Sequence, residues 1–77
     1  MTHIEVLGPG CQKCDALYRR VEQAARELGI EYELEKVSDV EKLLSYGVMS
    51  TPALVVNGVL KVAGRVPSAE RLKGMLG

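Results

Sequence analysis

The order strand, helix, strand in the first half of the chain is the feature that most restricts its fold. Residues 3–7, HIEVL, alternate as a strand does and end at Gly8 and Pro9. Over residues 12–28 the apolar side chains instead recur at helical spacing, and a second strand is expected at residues 31–37, EYELEKV. A unit of this length forms a right-handed crossover between parallel strands. The sequence therefore predicts an α/β fold.

The sequence indicates where the first helix ends and that the strand after it lies at a sheet edge. Gly29 stands where a left-handed C-cap is wanted, and Ile30 follows where it can fold back on the last turn. Tyr32 and Leu34 are expected to be buried in the second strand. The charged residues that alternate with them suit the edge of a sheet.

Capping and turn signals divide the second half of the chain. Ser38 and Glu41 form a capping-box pattern, which predicts a short helix that closes at Gly47. The apolar runs ALVV and VLKVA flank Asn57-Gly58, the strongest short-range signal for a type I′ hairpin. Ser68 can then cap a last helix, whose apolar residues are Leu72, Met75 and Leu76.

The complete order is therefore βαβαββα. We expect residues 1–77 to form a single domain, in which a four-stranded mixed sheet carries helices on both faces. The hairpin extends the sheet on the side opposite the second strand. The turn after the first strand then lies at the carboxyl end of the parallel strands, where functional sites usually collect.

Composition limits the partners and the compartment. The 77 residues include ten basic and ten acidic side chains, so no basic surplus favours nucleic acid. No window approaches the length of a membrane span, and the N-terminal residues do not resemble a secretory signal. We expect a cytoplasmic protein without membrane contact. Thiols stay reduced in that compartment, so a close cysteine pair there is more often catalytic or metal-binding than a permanent staple.

The pair in question is Cys11 and Cys14, within GPGCQKC at the start of the first predicted helix. Together with Thr51-Pro52 before the third strand and with the element order, this motif resembles the thioredoxin-fold superfamily. The likeness covers essentially the whole chain. It is greatest to the smallest members, the thioredoxin- or glutaredoxin-like redox-active disulfide proteins, and it implies a minimal thioredoxin-like fold.

The resemblance implies a thiol–disulfide oxidoreductase. Cys11 lies at the mouth of a helix, where unpaired N–H groups and the helix dipole favour a thiolate, so it is the expected nucleophile. Cys14 lies one turn further on, in register with Leu17 and Val21, and is expected to be buried and to resolve the mixed disulfide. The implied partners are disulfide-containing protein substrates and a disulfide reductase. No cofactor is expected beyond the redox-active disulfide, and the protein is expected to act as a monomer.

Thr51 and Pro52 are the predicted substrate-binding residues. Members of the superfamily carry a cis proline facing the active-site cysteines at this position, and the backbone of the residue before it pairs with an extended substrate. The resemblance carries both roles to this chain. We therefore expect a cis Thr51–Pro52 bond beside the cysteine turn.

The chain also departs from the family pattern. Gly10 stands where typical thioredoxins have Trp, and Gln12-Lys13 replaces Gly-Pro, so the redox potential of thioredoxin does not transfer. Asp15 and the Thr51-Pro52 pair suit glutathione, but Arg65 stands where glutaredoxins place acidic residues. Glutathione is therefore the less favoured substrate.

Glu5 precedes Cys11 by six residues, where many thioredoxins have a buried Asp that helps move the proton of the resolving cysteine. A buried carboxyl near Cys14 would serve as a general base. Unpaired buried carboxylates are costly, however, and we expect an exposed strand residue. Glu5 is accordingly not assigned to catalysis, and Tyr18, Tyr46 and Met49 are interpreted as packing residues.

One alternative from a different functional class uses the same cysteines. Two thiolates can hold a monovalent copper ion, which would make the chain a small soft-metal carrier. A closed zinc site is excluded, because it needs four ligands and His3 is the only histidine. The element order and Pro52 favour disulfide exchange, so no metal site is assigned.

Overall fold

The computed structural model of the protein describes residues 1–8, 12–48 and 50–76, apart from the side chain of Val40. The predicted element order is confirmed. The elements are β1 (Thr2–Leu7), α1 (Gln12–Leu28), β2 (Tyr32–Val37), α2 (Val40–Ser45), β3 (Ala53–Val56), β4 (Val59–Ala63) and α3 (Ala69–Leu76). None of the helices in these ranges is long and apolar enough to cross a membrane.

The four strands form one mixed sheet in the order β2-β1-β3-β4. β1 pairs in parallel with β2 and antiparallel with β3, and β3 pairs antiparallel with β4. β2 is thus an edge strand, as its alternating charges predict. The topology brings the ends of β1, β2 and β4 to the same edge of the sheet as the start of β3.

The helices cover both faces of the sheet, as predicted. α1 and α3 enclose the larger core, in which alternate residues of β1 and β3 meet Leu17, Val21 and Leu72. The opposite face carries a smaller cluster built on Leu7 and Val55, against which Leu43 and Tyr46 pack. Successive β1 side chains therefore belong to different cores.

The caps of α1 and α2 were predicted with different success. Gly29 has φ +67°, the left-handed conformation expected at the end of α1, and Ile30 packs against the core. The N-cap of α2 is Asp39 rather than Ser38. Asp39 directly precedes the first helical residue, and its carboxylate accepts a 3.0 Å hydrogen bond from the Glu41 N–H.

The hairpin and the last helix follow the sequence prediction. Asn57 and Gly58 both have positive φ, 51° and 82°, as a type I′ turn requires. Ser68 caps α3 by accepting a 3.4 Å hydrogen bond from the Arg71 N–H. Leu72 and Leu76 are the buried residues of this helix.

Candidate active site

Cys14 is 4% exposed in the first turn of α1, which confirms that this thiol is buried. Its position follows from helical spacing, because Leu17 and Val21 lie on the same side of α1 and enter the core. Cys11 immediately precedes the helix but lies outside the described residues. Its predicted role as nucleophile therefore stays a prediction.

The end of β1 lies directly against the Cys14 side chain. A Cβ placed on Gly8 would overlap Cys14 Sγ and would lie 3.4 Å from Cys14 Cβ and 3.7 Å from Thr51 Cβ. The Gly8 N–H donates a 2.9 Å hydrogen bond to the Val37 carbonyl, so the sheet pairing continues to this point. Gly8 thus stands between the buried thiol and the loop that begins β3.

Thr51 and Pro52 lie directly before β3. The Thr51–Pro52 bond is cis, which confirms the predicted isomer, and Thr51 is exposed while Pro52 is buried. The Pro52 carbonyl accepts a 2.8 Å hydrogen bond from the Gly64 N–H. The main chain of Thr51 makes no hydrogen bond to any other residue that the structure describes.

Charged side chains lie near the edge of the sheet where β1 ends and β3 begins. Lys13 is exposed beside Cys14, and Arg65 is exposed directly after Gly64. Asp15 is engaged by Lys36, whose Nζ lies 2.9 Å from Asp15 Oδ1. The same Nζ lies 4.9 Å from the centre of the Tyr18 ring, so Tyr18 combines packing with a cation–π contact.

The prediction for Glu5 was wrong, because Glu5 is 4% exposed. Its side chain lies on the α2 face of the sheet, where three polar groups meet it. Oε1 accepts a 3.2 Å hydrogen bond from the Tyr46 hydroxyl and lies 3.4 Å from His3 Nε2. Oε2 lies 3.5 Å from Lys42 Nζ. These partners offset the loss of hydration that made burial look unfavourable from the sequence.

His3 joins this polar cluster from its exposed side. The Nδ1 atom lies 3.3 Å from Glu33 Oε2, and Nε2 lies 3.9 Å from Glu35 Oε2. No group of three or more His, Cys, Asp or Glu side chains within residues 1–8, 12–48 and 50–76 has an arrangement that could hold a metal ion. His3 is thus a polar neighbour of Glu5 on β1 and of Glu33 and Glu35 on β2 through the contacts given above.

Tyr46 has a larger role than the packing assigned to it. It packs against the smaller core cluster and donates its hydroxyl proton to Glu5. Burial, together with the neighbouring Glu5 carboxylate, raises the pKa of Tyr46 above that of an ordinary tyrosine. No local sequence pattern indicates this contact, because the two residues lie 41 positions apart in the chain. Met49, the third residue interpreted as packing, lies outside the described residues.

Comparison with known proteins assigns the chain to a family. A family model described as a thioredoxin domain matches residues 2–77. The chain belongs to the thioredoxin family. As a family member it is a thiol–disulfide oxidoreductase.

Two similar thioredoxins come from Methanothermobacter thermautotrophicus and Methanocaldococcus jannaschii. The chain is 40% identical over 76 residues to a thioredoxin of Methanothermobacter thermautotrophicus, covering 99% of both chains. It is 38% identical over 73 residues to a thioredoxin of Methanocaldococcus jannaschii, covering 95% of this chain and 84% of the relative. The solution structure of reduced MJ0307 matches with a TM-score of 0.59 and 31% identity, covering 97% of this chain and 96% of that one. The minimal thioredoxin fold is thereby confirmed.

Proposed function

We propose that this protein exchanges disulfides with protein substrates through Cys11 and Cys14, with Cys11 as nucleophile and Cys14 as resolving thiol. Thr51 and Pro52 form the substrate-binding segment. The observation that carries the proposal is the meeting of a buried cysteine, the end of β1 and the Thr51–Pro52 segment around Gly8. The Thr51–Pro52 segment, which is distant in sequence, thus lies beside the end of β1 and the buried thiol.

The position of α1 supports the role of Cys11. The helix begins at Gln12 and continues for 17 residues, so its first N–H groups lack carbonyl partners within the helix. These groups and the helix dipole stabilise a negative charge at the residue that precedes the helix. The thiolate is the attacking species in exchange, so this position favours attack by Cys11.

Burial supports the different role of Cys14. A partner protein cannot easily approach a sulfur atom that is enclosed by the end of β1 and the first turn of α1. An intramolecular attack needs no such approach, because cysteines three positions apart lie one turn from each other. Cys14 is therefore suited to the second step.

The main chain of Thr51, an exposed residue, supports the choice of an extended protein substrate. An extended peptide can pair with the N–H and C=O groups that Thr51 leaves without partners among the described residues. Such pairing would hold the disulfide of a partner protein beside the cysteine turn, because Thr51 adjoins Gly8. This mode of binding selects an extended segment rather than a particular side chain.

The reaction then has two balanced steps. The Cys11 thiolate attacks one sulfur of the partner disulfide, forms a mixed disulfide and releases the other partner sulfur as a thiolate. Cys14 loses its proton and attacks the Cys11 sulfur, which releases the second partner thiolate. The partner gains two electrons and the chain becomes an intramolecular disulfide. A disulfide reductase then restores the dithiol. The protein acts as a monomer in the cytoplasm.

Intact mass and exchange activity test this proposal together. The oxidised monomer should lose the mass of two hydrogens, and dithiothreitol should restore it while the protein reduces a disulfide-containing test protein catalytically. Cys11→Ser and Cys14→Ser variants should each lose the intramolecular disulfide. A protein that oxidises only by dimerising, or variants that retain full catalytic exchange, would contradict the proposal.

A further inference from the structure

The space beside Gly8 is occupied by the sulfur of Cys14. A side chain at position 8 would have to share that space, because its Cβ would overlap Sγ and adjoin Cys14 Cβ and Thr51 Cβ. The surroundings cannot yield easily, since Cys14 is buried and belongs to the first turn of a helix packed on the sheet. The missing side chain of Gly8 therefore leaves room for Cys14 Sγ.

Backbone conformation does not explain this glycine. Gly29, Gly47, Gly58 and Gly64 have positive φ, whereas Gly8 is not among the glycines in the left-handed region. Gly8 instead continues the sheet through its hydrogen bond to Val37. Gly8 lies outside the positive-φ region that disfavours alanine, and among the described residues the only atom that an added Cβ would overlap is Cys14 Sγ.

We propose that Gly8 is a positioning residue for disulfide exchange: its missing side chain lets Cys14 Sγ rest against the end of β1, where it can attack the mixed disulfide. This inference rests on the proposed function, in which Cys14 performs the second step. The added methyl group of Gly8→Ala displaces Sγ from its place next to β1. The first step depends on Cys11 and is not expected to need that space.

The two steps can be observed separately with dithiobis(nitrobenzoate), an aryl disulfide whose released thiolate is coloured. Attack by Cys11 breaks the reagent's S–S bond, forms a Cys11–aryl disulfide and releases one coloured thiolate. Attack by Cys14 on the Cys11 sulfur then forms the intramolecular disulfide and releases the second. Stopped-flow absorbance therefore yields one rate for each step.

Gly8→Ala should slow the second release about tenfold or more, because a small displacement of a reacting atom has a large effect on rate. The first release should stay within about twofold of the unmodified protein, since the attacking thiol is not the one displaced. Gly74→Ala is the matched control, because a Cβ there meets nothing within 4 Å and the glycine lies in α3. It should leave both rates unchanged. An unchanged second rate in Gly8→Ala would overturn the inference.

One further variant separates this inference from the proposed function. Cys14→Ser should show the first release alone. If it shows both, Cys14 is not the resolving thiol and the proposed function fails, whatever Gly8→Ala does. If Cys14→Ser behaves as expected and Gly8→Ala resolves normally, only the positioning role fails.

Thermal unfolding provides a second test, which also applies if Gly8→Ala folds poorly. In reduced protein, Gly8→Ala should lower the unfolding midpoint by about 5 °C or more. In a Cys14→Ala background the sulfur is absent, so adding Gly8→Ala should shift the midpoint by less than about 2 °C. Equal shifts in the two backgrounds, or a double variant that does not fold, would show that the alanine conflicts with something other than Cys14 Sγ and would overturn the proposal.

Discussion

Lys42 Nζ lies 3.5 Å from Oε2 of the buried Glu5, so α2 is joined to β1 by an ion pair as well as by apolar contacts. Glu5 Oε2 accepts no hydrogen bond from the residues that the structure describes. Among the described residues Lys42 forms the ion pair with this oxygen, although the lysine side chain is itself about half exposed. Removing the lysine leaves the buried Glu5 Oε2 without its ion-pair partner.

We expect Lys42→Met to lower the free energy of unfolding by about 1–2 kcal/mol, a value between those of exposed and fully buried ion pairs. Urea denaturation at neutral pH measures this change. In a Glu5→Gln background the same substitution should have almost no effect, because the charge that Lys42 compensates is gone. An equal loss in both backgrounds would show that Lys42 acts through its packing and not through Glu5.

The raised pKa of Tyr46 predicts a loss of stability in alkaline solution. In the unfolded chain Tyr46 loses its proton near pH 10, the ordinary value for tyrosine, whereas the folded state keeps it to higher pH. Its contribution is therefore fully present below about pH 10 and disappears as the pH rises through the folded pKa. Other groups also titrate in this range, so the comparison requires a variant.

Tyr46→Phe removes the titrating group while it keeps the ring. The difference in unfolding free energy between the unmodified protein and Tyr46→Phe should be constant from about pH 7 to pH 9 and should shrink above about pH 10. Urea denaturation at each pH measures it. A difference that stays constant into strong alkali would contradict the account of Tyr46.

Two glycines without crowded surroundings predict opposite effects of alanine. A Cβ at Gly29 or at Gly74 would meet nothing within 4 Å, but Gly29 has φ +67° and Gly74 lies within α3. Gly29→Ala should lower stability by about 1 kcal/mol, because alanine is strained in the left-handed region. Gly74→Ala should raise it by about 0.5–1 kcal/mol through helix propensity. Thermal denaturation that gives the same sign for both would contradict this explanation.

Local patterns were sufficient to predict the elements of the fold. Helical spacing from Gln12, the glycine after Leu28 and the Asn57-Gly58 turn each depend on neighbours in sequence, and each is found as expected. The N-cap of α2 was misplaced by one residue, since Ser38 and Asp39 are both good capping residues. Which of the two residues caps α2 depends on where the helix begins, at Val40.

Contacts between residues far apart in the chain could not be predicted from the sequence. The burial of Glu5 depends on α2 crossing the sheet so that Lys42 and Tyr46 reach β1. Gly8 could be interpreted as part of a turn before Pro9, and only the structure shows that Cys14 Sγ fills its place. The burial of Cys14 and the cis Thr51–Pro52 bond were easier to predict, because the C-x-x-C and Thr-Pro motifs are short and their order along the chain is characteristic.

The two thiols should differ in their reaction with iodoacetamide. Cys11 should be alkylated first and at lower pH than a free thiol, because it precedes the first turn of α1. Cys14 is buried in the folded protein and should react slowly. Peptide mapping of partly alkylated, reduced protein identifies the order. Faster labelling of Cys14 would reverse the assigned roles.

The most direct test of the account is to trap the mixed disulfide with reciprocal cysteine variants. The reduced Cys14→Ser protein, incubated with cell extract, should accumulate covalent complexes with partner proteins, all joined through Cys11 and all dissolved by dithiothreitol. Cys11→Ser should trap little, because its remaining thiol is buried. If neither variant traps partners, while the unmodified protein binds monovalent copper tightly and both variants lose that binding equally, the cysteines act together as metal ligands and the proposed exchange mechanism is contradicted.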